Sequence, residues 1–218
     1  LELGIPSLTG LVLDPAGSST VRDAQVIPVD SDSGESLWEL SAHSNFLGQW
    51  SMALPEGSYQ VYARAPWGSS TLGDGPKSSV FTVDANGVAT VESGLDATSF
   101  DLSLSLPTWS GTVVIPGTTD VLPGTQICLV VGTSEQWYCV DANDDGEWAM
   151  SAPEGFNGFD ANSRLHVREG RTGEYAEKRI EGDALETLFG QYIAGDTYTG
   201  ITLEPAAPNF EVTVTAGG

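Results

Sequence analysis

Gly48-Gln49-Trp50-Ser51-Met52-Ala53-Leu54-Pro55-Glu56-Gly57 is written twice in this chain, the second time as Gly146-Glu147-Trp148-Ala149-Met150-Ser151-Ala152-Pro153-Glu154-Gly155. Gly, Trp, Met, Pro, Glu and Gly recur in one register, 98 positions apart. Two more blocks repeat in the same order. Leu8-Thr9-Gly10-Leu11-Val12 matches Trp109-Ser110-Gly111-Thr112-Val113, and Ala24-Gln25-Val26-Ile27 matches Thr125-Gln126-Ile127-Cys128, both at an offset of 101. Three ordered blocks at nearly one offset mean a duplication, and the drift between offsets is loop length. Inside the first copy, Trp50, Met52 and Leu54 share one parity, as do Tyr59, Val61 and Ala63. That period of two belongs to strands with one buried face.

Outward from this stretch, strand-like runs fall near 8–13, 24–30, 36–42, 48–54, 58–64, 79–83, 87–92 and 99–105. Turn residues punctuate them: Asp14-Pro15-Ala16-Gly17, Asp32-Ser33-Gly34, Pro55-Glu56-Gly57 and Asp84-Ala85-Asn86-Gly87. Seven or eight short strands per unit predict an all-β chain of two tandem Greek-key β-sandwich domains. The expected boundaries are 1–106 for the first and 107–205 for the second, leaving 206–218 as a tail. Pro208-Asn209-Phe210-Glu211-Val212 reads either as the start of a third repeat or as a frayed end. One departure from β is expected at 183–192, where Ala184, Leu185, Leu188 and Phe189 have helical spacing and a short helix replaces a hairpin. The linker Leu106-Pro107-Thr108 is short and stiffened by proline, which predicts two sandwiches laid end to end.

Of 218 residues, Asp and Glu supply 30 and Lys and Arg only 8, a formal charge of −22. Such a chain repels nucleic acid, and no apolar run is long enough for a membrane helix. A monomer is expected. The opening Leu1-Glu2-Leu3-Gly4-Ile5-Pro6 lacks the basic and apolar regions of a signal peptide and reads as a cut inside a longer protein. Self-repulsion of this charge predicts a melting temperature that rises from about 10 mM to about 500 mM NaCl, because the Debye length shrinks from roughly 30 Å to a few ångströms. A flat or falling curve would mean that the carboxylates are already paired.

Two cysteines flank a hairpin. A turn at Gly132–Glu135 pairs Val131 with Gln136, Val130 with Trp137, Leu129 with Tyr138 and Cys128 with Cys139. Directly opposed thiols suit a disulfide if the pair is of the non-hydrogen-bonded kind, which implies an oxidising, extracytoplasmic compartment. The other reading is two small buried apolar side chains.

The order of these motifs resembles that of carboxypeptidase regulatory-like domains, transthyretin-like or immunoglobulin-like sandwiches related to the B-type repeats of collagen-binding adhesins. Gly10-Leu11-Val12, Asp14-Pro15-Ala16-Gly17, Gly48-Gln49-Trp50 and Pro55-Glu56-Gly57-Ser58-Tyr59-Gln60-Val61 carry the resemblance in the first unit. Gly111-Thr112-Val113, Gly146-Glu147-Trp148 and Pro153-Glu154-Gly155 carry it in the second, which lacks the Tyr after the last turn. The resemblance implies spacer or binding modules of secreted or bacterial cell-surface proteins, with neighbouring repeats of the same chain as partners. Adhesin-type members often join a first-strand Lys to a last-strand Asn or Asp. The first strands here hold no Lys, since Lys77 and Lys178 fall late in each unit, so no such isopeptide bond is expected.

Groups with chemistry are sparse. His43 and His166 lie in different units and in no nucleophile motif. Asp32-Ser33-Gly34 matches an aspartic-protease tripeptide without a second copy and reads as a turn. No catalytic residue and no organic cofactor is expected. Asp141-Ala142-Asn143-Asp144-Asp145-Gly146 has the alternating oxygens of a calcium loop, so Asp141, Asn143 and Asp145 are the candidate ligands. The loop lacks the Glu expected at its twelfth position, which is Ala152, and an acidic hairpin turn explains it equally. Trp38, Trp67, Trp109 and Trp137 are unplaced and keep a glycan-binding module in view, whereas Trp50 and Trp148 have core parity. Five of the eight cations, Arg164, Arg168, Arg171, Lys178 and Arg179, cluster in the second unit. Arg164, His166 and Arg168 share the outward parity of one strand, either to pair with acidic neighbours or to dock a partner. The favoured reading is a non-catalytic stalk module at the cell surface; the alternative is a carbohydrate- or protein-binding module.

Overall fold

The computed structural model describes residues 8–91, 100–133, 136–170 and 173–208. The chain divides into two compact units, Leu1–Pro107 and Thr108–Gly218. The first holds β1 (Leu8–Leu13), β2 (Gln25–Asp30), β3 (Ala42–His43), β4 (Gln49–Met52), β5 (Gly57–Arg64), β6 (Phe81–Val83), β7 (Ala89–Val91) and β8 (Leu102–Ser103). The second holds β9 (Trp109–Val113), β10 (Gln126–Val130), β11 (Trp137–Asp141), β12 (Glu147–Met150), β13 (Arg164–Arg168), β14 (Lys178–Glu181), the helix α1 (Asp183–Phe189) and β15 (Tyr198–Leu203).

Each unit is a β-sandwich. In the first, a sheet of order β4-β1-β8 faces one of order β3-β2-β5-β6-β7. In the second, β12-β9-β15 faces β11-β10-β13-β14. The sheets close on two cores. Leu8, Val12, Val26, Trp50, Met52, Val61, Ala63 and Phe81 lie in the first. Trp109, Val113, Ile127, Leu129, Trp148, Met150, Leu165, Val167 and Leu185 lie in the second. Trp109 takes the place of Leu8 in the repeat and sits at full burial among Phe156, Phe159, Phe189 and Tyr192, its centroid 5.4–6.0 Å from theirs.

The repeated glycines have one job in both copies. A Cβ on Gly10 would lie 1.8 Å from the Phe100 carbonyl oxygen, and one on Gly111 1.7 Å from that of Ile201. Each lets the first strand of its unit press against the last, which runs parallel to it. Gly48 and Gly146 turn their hairpins with φ of +74° and +72°, and a side chain on either would strike Thr20 or Val121.

Two segments depart from uniform strand. The run at 36–42 is a 3-10 turn over Trp38–Leu40 followed by β3, because Leu37 and Leu40, three apart, pack on the core from one side. In the second unit α1 stands where the first has β7, and buries Leu185 and Phe189 one turn apart while Ala184 stays exposed. Ala206 bridges back to Ala176 inside the second unit, and residues 209–218, with the third-repeat reading, lie outside the described residues.

Candidate functional site: the outer face of the second unit

Strand β13 reads Arg164-Leu165-His166-Val167-Arg168. Leu165 and Val167 are fully buried in the core, so alternation turns Arg164, His166 and Arg168 to the opposite face of the sheet. Register supplies their neighbours. Cys128 on β10 opposes His166, and Cys139 on β11 opposes Cys128. On β14, Arg179 opposes His166 and Glu181 opposes Arg164. Cys128 and Cys139 form a disulfide with a Cα–Cα distance of 4.1 Å, the close spacing of a non-hydrogen-bonded antiparallel pair.

Glu177, just ahead of β14, organises the cluster. One oxygen accepts from His166 Nδ1, and the other accepts from Arg168 Nε at 2.6 Å. The hydrogen bond from His166 and then the Arg168 guanidinium hold the Glu177 carboxyl below its ordinary value. An ionised carboxylate can only accept, so Nδ1 carries a proton, and in that tautomer Nε2 is an acceptor. Trp137, 44% exposed, leans over this group. Its centroid is 4.6 Å from that of His166, and the Arg168 guanidinium lies over its ring at 5.1 Å, within cation–π range. Arg179 pairs with Glu181. His166 Nε2 and Arg164 Nε are buried and have no hydrogen-bond partner among the described residues.

The charge pairing has a consequence for acid stability. Because the folded pKa of Glu177 is depressed, its ionised form stabilises the fold above the unfolded value of 4.5, and that contribution disappears as pH falls through the folded value. The wild-type melting temperature is therefore expected to fall more steeply than that of Glu177→Gln between about pH 5 and pH 3. Parallel curves would show that Glu177 carries no such linkage.

The loop at 141–146 is held from within. Asn143 Oδ1 accepts the backbone N–H groups of Asp145 at 3.0 Å and Glu147 at 2.9 Å, and its amide donates to Glu147. Asn45 does the same in the first unit, accepting from Leu47 at 2.9 Å and Gln49 at 3.0 Å, with no carboxylate in the loop. Asp141 is half-buried at the end of β11 and Asp145 is exposed. A calcium ion on Asp141, Asn143 and Asp145 would compete with the backbone for the Asn143 oxygen. Calorimetry at millimolar calcium, with Asp141→Ala as the control, tests calcium at this loop. Asn143→Ala removes two acceptor contacts and is expected to destabilise the second unit by about 1–2 kcal/mol, and Asn45→Ala the first unit equally. Chemical denaturation of both variants checks this; a cost confined to Asn143 would point to a role beyond the turn.

The shared parity of Arg164, His166 and Arg168 is legible in the sequence; Trp137 and Glu177 as their companions are not. Arg171 lies outside the described residues. A guanidinium–indole pair also recurs in the first unit, where Arg64 lies 5.6 Å from the Trp38 centroid. Register makes Arg64 and Arg168 equivalent, since they oppose Gln25 and Gln126. Trp38 and Trp67 are exposed, whereas Trp50 and Trp148 are buried. Among the described residues, no group of three or more His, Cys, Asp or Glu is placed to hold a metal ion. No helix of the described residues is long and apolar enough to cross a membrane.

No family model matches the chain, and no curated protein does. Solved structures do. The Bacillus anthracis TIE protein is 12% identical with a TM-score of 0.35, over 91% of this chain and 33% of its own, so the chain spans a third of that protein. The shaft pilin SpaA from Lactobacillus rhamnosus GG is 11% identical with a TM-score of 0.32, over 93% of this chain and 98% of its own. GBS52, the minor pilin of Streptococcus agalactiae, is 13% identical with a TM-score of 0.30, over 96% of this chain and all of its own. Likenesses this distant say nothing of activity or ligand.

Proposed function

We propose that the chain is a pair of non-catalytic, load-bearing spacer modules of a larger secreted or bacterial cell-surface protein, of the adhesin-like, carboxypeptidase regulatory-like kind. The strand order carries this reading. In each unit the first and last strands are parallel neighbours, β1 with β8 and β9 with β15. Tension applied through the chain ends then pulls parallel neighbours from opposite ends. It shears the contacts together, backed by Phe100 N–H to Thr9 O at 2.8 Å, Leu104 N–H to Leu13 O at 2.9 Å and Val114 N–H to Leu203 O at 2.9 Å. Antiparallel neighbours loaded at one end would unzip singly.

The residues that recur also support the reading. Gly10 and Gly111, Asn45 and Asn143, and Trp50 and Trp148 all serve packing or turns, whereas His166 and the Cys128–Cys139 bridge belong to one unit. A disulfide suits an oxidising exterior. Single-molecule pulling tests the proposal. Handles at the chain ends should give two high-force unfolding events, and handles placed to unzip β5 from β6 a much lower force. Equal forces in the two geometries would sink it.

A further inference from the structure

The outer face of the second unit holds two unmet polar needs of opposite kind. Arg164 Nε–H can only donate, and His166 Nε2 accepts in the tautomer whose Nδ1–H faces Glu177; both are buried and without a partner among the described residues. Burying such groups unsatisfied is unfavourable, so their presence asks for an explanation. The two carboxylates on and beside the neighbouring strand β14 are engaged elsewhere: Glu177 holds His166 Nδ1 and Arg168, and Glu181 holds Arg179. Arg164 and His166 are two residues apart on β13 and face the same way, beside the half-exposed Trp137 indole.

We propose that this face binds a hydroxylated carboxylate of the sugar-acid class. The Arg164 guanidinium takes the carboxylate through its fork of N–H donors. His166 Nε2 accepts from a neighbouring hydroxyl, and the Trp137 indole covers the flat C–H face of the ring. A donor beside an acceptor matches a carboxylate that carries an adjacent hydroxyl, which a bare anion or a peptide carboxylate does not offer. The charge of −22 argues the same way, since a polyanion or acidic peptide is repelled by the rest of the chain, whereas a single carboxylate among neutral hydroxyls is screened within about 8 Å at physiological salt. The Trp137 indole packs on both His166 and Arg168 and is itself 44% exposed. An exposed side chain of this kind rotates within picoseconds to nanoseconds, which gives a ligand a route to the His166 edge.

The first unit is the internal control. By register, Tyr62 stands where His166 does and Gln60 where Arg164 does, and Gln60 Nε2 is satisfied by the Ser78 carbonyl at 2.8 Å. The site is thus particular to the second unit. Arg164→Gln and His166→Tyr remove it with the side chains that stand at the equivalent positions of the first unit.

The test is an NMR titration of the whole chain, following the Trp137 indole N–H, assigned through Trp137→Phe. D-glucuronate, D-glucose, acetate and a glutamate-rich peptide are the probes. Glucuronate is expected to shift that signal and saturate with a Kd of order 1 mM, as suits a ligand of this size. Glucose and acetate should each bind at least tenfold more weakly, and Arg164→Gln and His166→Tyr should each weaken glucuronate tenfold or more, with spectra that remain those of a folded chain. Silence toward glucuronate overturns the proposal. So does acetate binding as tightly as glucuronate, the peptide binding more tightly, or an unchanged Kd in both variants. None of these results touches the load-bearing reading, which rests on strand order and is read by force.

Discussion

Gly111→Ala is expected to unfold the second unit. The added methyl would lie 1.7 Å from the Ile201 carbonyl oxygen, 2.6 Å from its carbon and 2.7 Å from its nitrogen. All three are backbone atoms, so no side chain can swing away. β15 would have to withdraw from β9, taking the buried Ile201 and Leu203 with it and opening the core over Trp109. Loss of a strand pairing and part of a core exceeds the ordinary cost of a point change and passes about 4–5 kcal/mol, most of the stability of a domain this size. Gly10→Ala should do the same to the first unit, where the methyl meets the Phe100 carbonyl at 1.8 Å and the Trp50 indole nitrogen at 2.9 Å. Hydrogen exchange locates the damage. Amides of β9 and β15 should lose protection in Gly111→Ala while those of β1 and β4 keep it, and the reverse should hold for Gly10→Ala. A variant that melts within a few degrees of wild type would mean that the first and last strands can part cheaply, and the shear argument would fall with it.

What the sequence made legible was what the repeat and the parity of strands can express. Trp50 and Trp148 read as core from period two alone, and both are buried. The Cys128–Cys139 pair followed from counting a hairpin inward from its turn. The helix at Asp183–Phe189 is legible because Ala184, Leu185, Leu188 and Phe189 follow helical spacing, with adjacent apolar pairs that a strand's alternation does not give. Trp109 went unplaced although the repeat sets it against Leu8, a fully buried position, so the signal was present. The 3-10 turn at Trp38–Leu40 was hidden because a single turn is too short for its period to stand out from a strand. The Trp137, His166, Arg168 and Glu177 cluster was hidden for a different reason. Parity states which way a side chain faces, but not that the strand of Trp137 lies two strands from that of His166 with Cys128 between them. Contacts of that kind depend on sheet order.

Replacing both cysteines by serine is expected to lower the stability of the second unit by about 3 kcal/mol. The bridge closes a loop with a sequence separation of 11. If cross-links act by restricting the unfolded chain, loop-closure entropy alone gives roughly 2.8 kcal/mol for a ring of that length. The native side adds to this. Cys128 is buried on β10, the strand that carries both β11 and β13, and a serine hydroxyl there enters an environment with His166 on one flank and the second new serine, at position 139, on the other. Because β10 is central, loosening β11 also frees the Trp137 indole from His166 and Arg168. Two measurements separate these parts. Denaturant unfolding of the serine variant gives the whole loss, and reduction of the wild type gives the loss without the change of side chain. If the entropic account holds, both should fall by similar amounts, and the first unit should be unmoved. A loss well under 1 kcal/mol would mean that the hairpin is already closed in the unfolded chain, and that the bridge serves to pin Trp137 over its polar cluster rather than to stabilise the sandwich.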